Sequence, residues 1–168
     1  MTAEEITKYL TELNDELRLM GIKGEVSLYG GAFMCLAFKT RQATKDVDAI
    51  FDPILEIRNA AHRIAERHGL NLDWLNLAVK MFVVPHKREV LFDLPNLIVM
   101  VPEPDYLLAM KILALRPDTE DENDAKFLVN HLKLKSKEEV LKIVAEYYPH
   151  KQVKAQTEAW LDGFFTTK

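Results

Sequence analysis

Several features are scarce or missing in this 168-residue sequence, and each absence excludes a class of protein. Cysteine occurs once, as Cys35, so an internal disulfide is excluded and we expect a reducing, cytoplasmic environment. No apolar stretch approaches the roughly 20 residues of a membrane-spanning helix, and the acidic start lacks the basic residues of a signal peptide. Positive charge is in deficit, with a net charge of −4, which argues against a protein whose whole surface binds nucleic acid.

The overall composition is typical of a globular protein with a sizeable core, since 48% of the residues are hydrophobic and 29% are charged. Hydrophobic periodicity and turn residues predict an α+β fold, a mixed sheet flanked by helices. We expect one compact domain, in which 1–102 forms the core and 103–168 a helical C-terminal part packed on it. The predicted strands are 25–29, 46–51, 79–84, 89–94 and 96–101. The predicted helices are 2–20, 32–38, 53–68, 104–115, 136–148 and 151–165, with one more after the acidic run 118–124.

The stretch 30–51 carries the most informative pattern. Gly30 and Gly31 stand where a strand should end and a helix begin, and Asp46 and Asp48 alternate with apolar residues on the next predicted strand. Because side chains alternate along a strand, the two carboxylates point the same way. Two adjacent carboxylates repel each other unless a cation lies between them, and their oxygens suit Mg²⁺ bound together with substrate phosphates. The glycines allow a phosphate to approach the backbone closely.

The loop 39–45, between this helix and strand, is basic. One interpretation is a solvated loop; the other is that Arg41 contacts a phosphate, because the loop leads directly to the two carboxylates. Thr44 is suited to fix the loop by a hydrogen bond from its side chain to the backbone. His62 and His68 have no third ligand at metal spacing, so we expect no metal site on their helix.

A single lysine interrupts the apolar helix predicted over 104–115. Lys111 is the only charged residue from 106 to 115, and a helix that is apolar all round is expected at the centre of a protein. An unpaired buried ammonium is too unfavourable, so Lys111 must reach the surface or meet an anion. We expect the carboxylates of Asp46 and Asp48, or a bound triphosphate, to supply that anion. The acids of 118–124 are interpreted mainly as helix caps and dipole partners.

These blocks together resemble a known family. The glycine pair, a helix and the Asp46/Asp48 pair resemble the signature of the nucleotidyltransferase fold shared with DNA polymerase beta. In detail they resemble the small bacterial nucleotidyltransferases related to AbiEii-type toxins. A second block, from Lys111 through Arg116 to Asp124, resembles the second motif of the same proteins.

The resemblance implies a nucleotidyltransferase fold and an enzyme that uses Mg²⁺ to move a nucleotide from an NTP to an acceptor hydroxyl on RNA or protein. A toxin or defence role with a cognate antitoxin partner is also implied. The implied metal ligands are Asp46 and Asp48. The implied nucleotide-binding residues are Gly30, Gly31, Arg41, Thr44, Lys111 and Asp124. The implied catalytic residues are Asp46, Asp48, Asp93 and Lys111, with Lys111 and Arg41 neutralising the pyrophosphate leaving group and Asp124 orienting Lys111 or a ligand group.

A third carboxylate would complete the metal site in this assignment. Proteins of this fold often complete the metal site with an acid from a later strand, and Asp93 is the candidate, although it also suits the cap of a turn before Pro95. Related proteins carry an acid in the segment that corresponds to 74–80, where this chain has Leu77. Two alternatives therefore stay open: an inactive nucleotide-binding or protein-interaction module, and a metal phosphohydrolase. A phosphohydrolase usually recruits histidine ligands, and none lies near Asp46 in the sequence.

Overall fold

The computed structural model describes residues 1–167, which form a five-stranded mixed sheet and seven α-helices, an α+β protein as predicted. The strands are β1 (Gly24–Leu28), β2 (Val47–Asp52), β3 (Leu75–Asn76), β4 (Arg88–Asp93) and β5 (Leu97–Pro102). The helices are α1 (Ala3–Leu19), α2 (Gly30–Phe33), α3 (Ile54–His68), α4 (Pro104–Ala114), α5 (Glu120–His131), α6 (Lys137–Tyr147) and α7 (Ala155–Thr166). A π-helical turn, Met34–Phe38, continues α2, and a 3-10 helix, Ala78–Phe82, follows β3.

The chain divides into two compact units. The first comprises Met1–Val83 and Lys87–Pro102 and contains all five strands with α1, α2 and α3. The second comprises Val84–His86 and the chain from Glu103 onward, and contains α4 to α7. No helix within residues 1–167 is both long and apolar enough to cross a membrane.

The sheet order is β3-β2-β1-β5-β4. β1 pairs antiparallel with β2 and parallel with β5, and β4 pairs antiparallel with β5. As a result, β1 and β5 finish at the same end of the sheet at which β2 and β4 begin. We call this the glycine end of the sheet, because β1 leads from there into Gly30 and Gly31.

One face of the sheet forms the core of the first unit. Alternate residues of β1, β2 and β5 are buried there, including Val26, Ala49 and Val99, each with no exposed surface. Helices α1 and α3 pack on each other and contact β5 and β2, and they bury their own apolar stripes. Each fully buried leucine or isoleucine contributes roughly 1.5–3 kcal/mol relative to an exposed one. On β2 the residues between them, Asp48 and Ile50, are half-buried and belong to the other face.

The structure differs from the predicted elements at several points, two of which lie just after β3 and just before α3. The strand predicted over 79–84 is the 3-10 helix Ala78–Phe82, because the Asn76 side chain accepts the Ala78 N–H (3.0 Å) and turns the chain. The helix predicted over 53–68 begins one residue later than expected, and Asp52 before it continues β2 and pairs with Glu25. Pro53 takes the N-cap position of α3, which begins at Ile54.

An ion cluster joins α1 to α3. Glu12 accepts hydrogen bonds from Arg67 (2.8 Å) and His68 (2.8 Å), and Glu16 accepts from Arg63 (2.9 Å) and Arg67 (2.7 Å). Partial burial alone would raise the pKa of both carboxyls. The hydrogen bonds and the nearby positive charges outweigh burial, so the pKa values of Glu12 and Glu16 lie below their ordinary value of 4.5.

We expect this cluster to make stability depend on pH in the acid range. A carboxyl with a lowered folded-state pKa stabilises the protein above its ordinary pKa, and that stability is lost as pH falls from about 4.5 through the folded value. A Glu12→Gln/Glu16→Gln variant should be less stable at pH 7 and should lose less stability between pH 5 and pH 3 than the wild type. Urea unfolding at a series of pH values measures both effects.

The matched control is Glu4→Gln/Glu66→Gln, which changes two exposed acids, one on each of the same helices. This control should follow the wild-type pH profile. Equal profiles for the two double variants would contradict the assignment of the acid dependence to the α1–α3 cluster.

Candidate functional site

The glycine end of the sheet has a geometry that requires glycine at position 30. Tyr29, after the last residue of β1, donates its N–H to the carbonyl of Asp48 (2.9 Å). Gly30 then adopts φ +61°, in the left-handed region that side chains with a Cβ rarely enter. A Cβ at Gly30 would also lie 3.1 Å from Oδ2 of Asp48. The turn into α2 therefore begins at Gly30 itself, two residues before the helix start predicted at Ala32.

The next residue, Gly31, is required for a different reason. A Cβ there would lie 2.6 Å from Oγ1 of Thr44 and 2.7 Å from Nη1 of Arg41, closer than real side chains allow. The basic loop therefore folds back onto the glycine pair, and two of its polar side chains rest against the backbone. We call Gly30, Gly31, Arg41, Thr44 and Asp48 the glycine-pair cluster.

The loop that carries Arg41 and Thr44 is fixed at two points. Thr44 donates its hydroxyl to the carbonyl of Asp46 (3.1 Å), which confirms the predicted side-chain-to-backbone bond. The Thr44 N–H donates to the carbonyl of Met1 (2.8 Å), and Thr2 forms an isolated antiparallel bridge with Ala43. Sequence reasoning missed this second attachment, because pairing between segments so far apart leaves no local pattern.

The two aspartates are placed differently with respect to β2. The strand begins at Val47, so Asp48 lies on it, while Asp46 lies in the bend just before it. Val47 and Ala49 are fully buried, which confirms that Asp48 belongs to the opposite face. Both aspartates are half-buried. Asp48 is thus part of the glycine-pair cluster, and Asp46 is attached to it through Thr44.

The structure does not bring Asp93 to this cluster. Asp93 is exposed at the end of the edge strand β4, where it pairs with Ile98 on β5. Ile98 is level with Glu25 and Asp52, at the far end of β2 from Asp48. Three strand spacings and four residues along a strand place the backbones of Asp93 and Asp48 roughly 19 Å apart. We therefore leave Asp93 out of the proposed site.

Within residues 1–167, no group of three or more His, Cys, Asp or Glu side chains is arranged to hold a metal ion. Asp46 and Asp48 offer two carboxylates, which are hard oxygen donors of the type that Mg²⁺ prefers. Mg²⁺ commonly takes one or two protein carboxylates and completes its shell with water and substrate phosphate oxygens. In chemical type, the carboxylates of Asp46 and Asp48 fit such a site.

Lys111 is paired inside the second unit. It is 8% exposed, and its Nζ lies 2.8 Å from Oδ2 of Asp124 and 3.2 Å from Oδ1 of Asp121. The anion that the sequence required for Lys111 is therefore supplied by α5, and a triphosphate is not needed to compensate it. Asp124 is 3% exposed and forms a buried ion pair with Lys111. Asp121 was missed, although its spacing of three residues from Asp124 places both on one face of α5.

Asp121 is also bonded to Arg116, whose Nε lies 3.0 Å from Oδ2. Burial would raise the pKa of Asp121. The charges and hydrogen bonds of Lys111 and Arg116 outweigh burial, and the net pKa is lowered. Asp121 therefore stays ionised and shares in compensating Lys111.

We expect Gly31→Ala to push the basic loop off the glycine pair. Its Cβ would overlap Thr44 and Arg41, and overpacking of this kind destabilises a protein by roughly 1–3 kcal/mol. Urea unfolding measures the loss, and amide shifts of Arg41 and Thr44 in a ¹H–¹⁵N spectrum report the displaced loop.

Gly163→Ala is the matched control, since a Cβ there meets no atom within 4 Å. That change lies inside α7 and should be neutral or stabilise by about 0.5–1 kcal/mol. If Gly31→Ala is as well tolerated as Gly163→Ala, the close packing of the loop against Gly31 is contradicted.

We expect Lys111→Met to destabilise the protein by about 3–5 kcal/mol, because it leaves the buried Asp124 carboxylate without its partner. The double variant Lys111→Met/Asp124→Asn should recover much of this loss. Arg116→Met, which removes an exposed cation from Asp121, should change the free energy of unfolding by less than about 1 kcal/mol. Equal effects of Lys111→Met and Arg116→Met in urea unfolding would contradict the buried pair.

Comparison of the chain with protein-family models, with curated proteins and with solved structures finds no match. The nucleotidyltransferase resemblance therefore depends on the two sequence blocks, and the functional assignment depends on the geometry of the glycine end of the sheet.

Proposed function

We propose that this protein is a metal-dependent nucleotidyltransferase, which transfers a nucleoside monophosphate from an NTP to an acceptor hydroxyl. The observation that carries the proposal is the convergence of Asp48, Arg41 and Thr44 on the Gly30–Gly31 backbone. A carboxylate, a guanidinium and a hydroxyl thus surround a stretch of backbone without side chains. This combination is suited to a metal–triphosphate substrate, which carries both bound cations and exposed phosphate oxygens.

Each residue has a separate task in this proposal. Asp46 and Asp48 would hold Mg²⁺, which when bound acts as a Lewis acid toward the phosphate oxygens. Arg41 neutralises negative charge on the phosphates, for which its planar guanidinium is better suited than an ammonium. Thr44 holds the loop so that Arg41 lies against Gly31. The role of Lys111 toward the nucleotide remains a prediction from the resemblance.

The transfer itself is a displacement at the α-phosphorus. The acceptor hydroxyl oxygen forms a new bond to phosphorus while the bond to the oxygen that bridges the α- and β-phosphates breaks. The bonding electrons leave with pyrophosphate, and the hydroxyl proton passes to water. The protein contributes position and fixed charge, which are the main sources of rate enhancement in phosphoryl and nucleotidyl transfer.

A second candidate is a nucleotide-binding module of the same fold without turnover. It is favoured by one observation, that Asp93 lies at the other end of the sheet and leaves the cluster without a third carboxylate among the described residues. In that case the chain would bind an NTP without consuming it. Binding and turnover must therefore be measured separately.

We expect the wild-type protein with Mg²⁺ to incorporate label from an α-³²P-NTP into an acceptor supplied as total RNA plus cell lysate. Each of the four NTPs is tested in turn. Asp48→Asn, which keeps the shape but removes the charge, should lower incorporation on the order of 100-fold or more, because preorganised charge at such centres has effects of this size.

Asp52→Asn is the matched control, because Asp52 lies on the same strand and the same face but at the opposite end of the sheet, and it is exposed. This variant should keep wild-type incorporation. Equal loss in both variants would contradict the assigned site. Tight NTP binding that depends on Asp48, without incorporation by the wild type, would select the inactive module.

A further inference from the structure

Strand β4 lies at the edge of the sheet, and one of its sides is open. It pairs with β5 and with no other strand within residues 1–167. Four of its six residues are exposed. The open side of an edge strand presents backbone N–H and C=O groups that can pair with a further strand. We call this side of β4 the open edge.

The last residue of β4 directs its backbone groups to the open edge. Leu94 and Leu97, at the turn between β4 and β5, exchange two backbone hydrogen bonds (2.9 and 3.4 Å). Hydrogen-bonded and non-hydrogen-bonded pairs alternate along an antiparallel ladder, so the next pair, Asp93 with Ile98, is non-hydrogen-bonded. The N–H and C=O of Asp93 therefore point away from β5.

The first residue of β4 also directs its backbone groups to the open edge. Arg88 pairs with Pro102, and proline has no N–H, so these residues cannot exchange two hydrogen bonds. Theirs is therefore a non-hydrogen-bonded pair, and the N–H and C=O of Arg88 point away from β5. Arg88 and Asp93 thus offer backbone pairing groups at the two ends of the open edge.

Arg88 and Asp93 also lie on the same face of the sheet. Arg88 donates to the Ser27 hydroxyl (2.8 Å) and pairs with Glu25, while Asp93 is the register partner of Ile98. Ser27 and Ile98 alternate with buried core residues on their strands, so both belong to the face opposite α1 and α3. Residues five apart ordinarily lie on opposite faces of a strand, and the β-bulge in the middle of β4 shifts this alternation by one residue.

We propose that the open edge pairs antiparallel with the open edge of a second copy of this chain, across a two-fold axis between Val90 and Leu91. In this register Arg88 of each copy lies opposite Asp93 of the other, with backbone groups facing each other and side chains on one face. The pair joins opposite charges, and symmetry repeats it at both ends of the interface. Arg88 can bind Glu25 of its own chain and this second carboxylate together, because a guanidinium has five N–H donors.

Charge and the apolar surface both favour this register. A shift by one residue places either Asp93 opposite Glu89, a pair of like charge, or Arg88 opposite Phe92. Val90 is 60% exposed, and the two-fold axis brings Val90 of both copies together at the centre. An apolar centre with charged ends is the usual arrangement of a protein interface. Because the paired segments are only about 20 Å long, the dimer is expected to be weak and to depend on concentration.

The test is sedimentation equilibrium of the full chain without nucleotide or metal, at loading concentrations from about 1 μM to about 1 mM, the range expected for a small interface. The wild type should fit a monomer–dimer equilibrium. Asp93→Lys places two cations opposite each other, and Arg88→Glu places two acids opposite each other. Each variant alone should raise the dissociation constant about tenfold or more, because symmetry changes two cross-strand pairs at once.

An equimolar mixture of Asp93→Lys and Arg88→Glu should dimerise like the wild type. In the mixed dimer one end joins Arg88 to Asp93, and the other joins the introduced lysine to the introduced glutamate. The matched control is Asp52→Lys, which makes the same charge change at the exposed end of β2, level with Asp93 but away from the open edge. This control should dimerise like the wild type.

Amide hydrogen exchange of the same samples locates the interface, since Arg88 and Asp93 should exchange more slowly at the high concentration than at the low one. Three results overturn the inference. The wild type stays monomeric at every concentration, which leaves the open edge to a strand of another protein; the dimer is weakened no more by Asp93→Lys than by Asp52→Lys, which places the interface elsewhere; or the mixture of the two variants stays monomeric. Because no nucleotide is present, none of these results depends on the proposed function.

Discussion

The absence of side chains at Gly30 and Gly31 is the constraint on which the candidate site depends. At Gly30 it permits a left-handed turn directly after β1, and at Gly31 it permits Arg41 and Thr44 to rest on the backbone. An alanine at position 31 would need the space that the Thr44 hydroxyl fills. A carboxylate from the next strand and a guanidinium from the loop therefore meet at a place where a phosphate could also approach.

The sheet explains why these groups meet at one end and leave others out. β1 and β2 are antiparallel neighbours, so the end of β1 and the beginning of β2 lie side by side, and Asp48 falls next to the glycine turn. β4 begins at this same end but finishes at the other, which carries Asp93 away. A short loop that spans from α2 to β2, and is attached to the first residues of the chain, then fixes Arg41.

Local patterns predicted the elements well where one interaction decided them. The capping box of Thr2 and Glu5 and the left-handed Gly69 mark one end each of the helices predicted over 2–20 and 53–68, and the alternation around Val47 placed Asp48 on the face away from the core. Reasoning from local sequence failed where distant segments decide. The 79–84 run is apolar enough for a strand, yet it joins no strand within residues 1–167, and the Asn76 side chain turns the chain into a 3-10 helix instead.

For the charged residues too, local sequence predicted what a single element requires and failed where distant segments decide. The need for an anion beside Lys111 followed from its apolar helix. Of its two partners on α5, only Asp124 was connected with it from the sequence, and Asp121 was attributed to helix capping. Asp93 was chosen by its place between apolar residues, and such a position says nothing about which end of the sheet it occupies. Register and pairing order depend on contacts across the whole unit, and these decide whether two carboxylates can share a cation.

The central claim is that a metal-bound nucleotide sits at the glycine end of the sheet. It is tested most directly by ¹H–¹⁵N spectroscopy of the labelled chain with a non-hydrolysable NTP analogue and substoichiometric Mn²⁺ in place of Mg²⁺. Paramagnetic broadening should be strongest at the amides of Gly30, Gly31 and Asp48, should require the nucleotide, and should disappear in Asp48→Asn. Broadening centred on Asp93, or none at the glycine pair, would contradict the account.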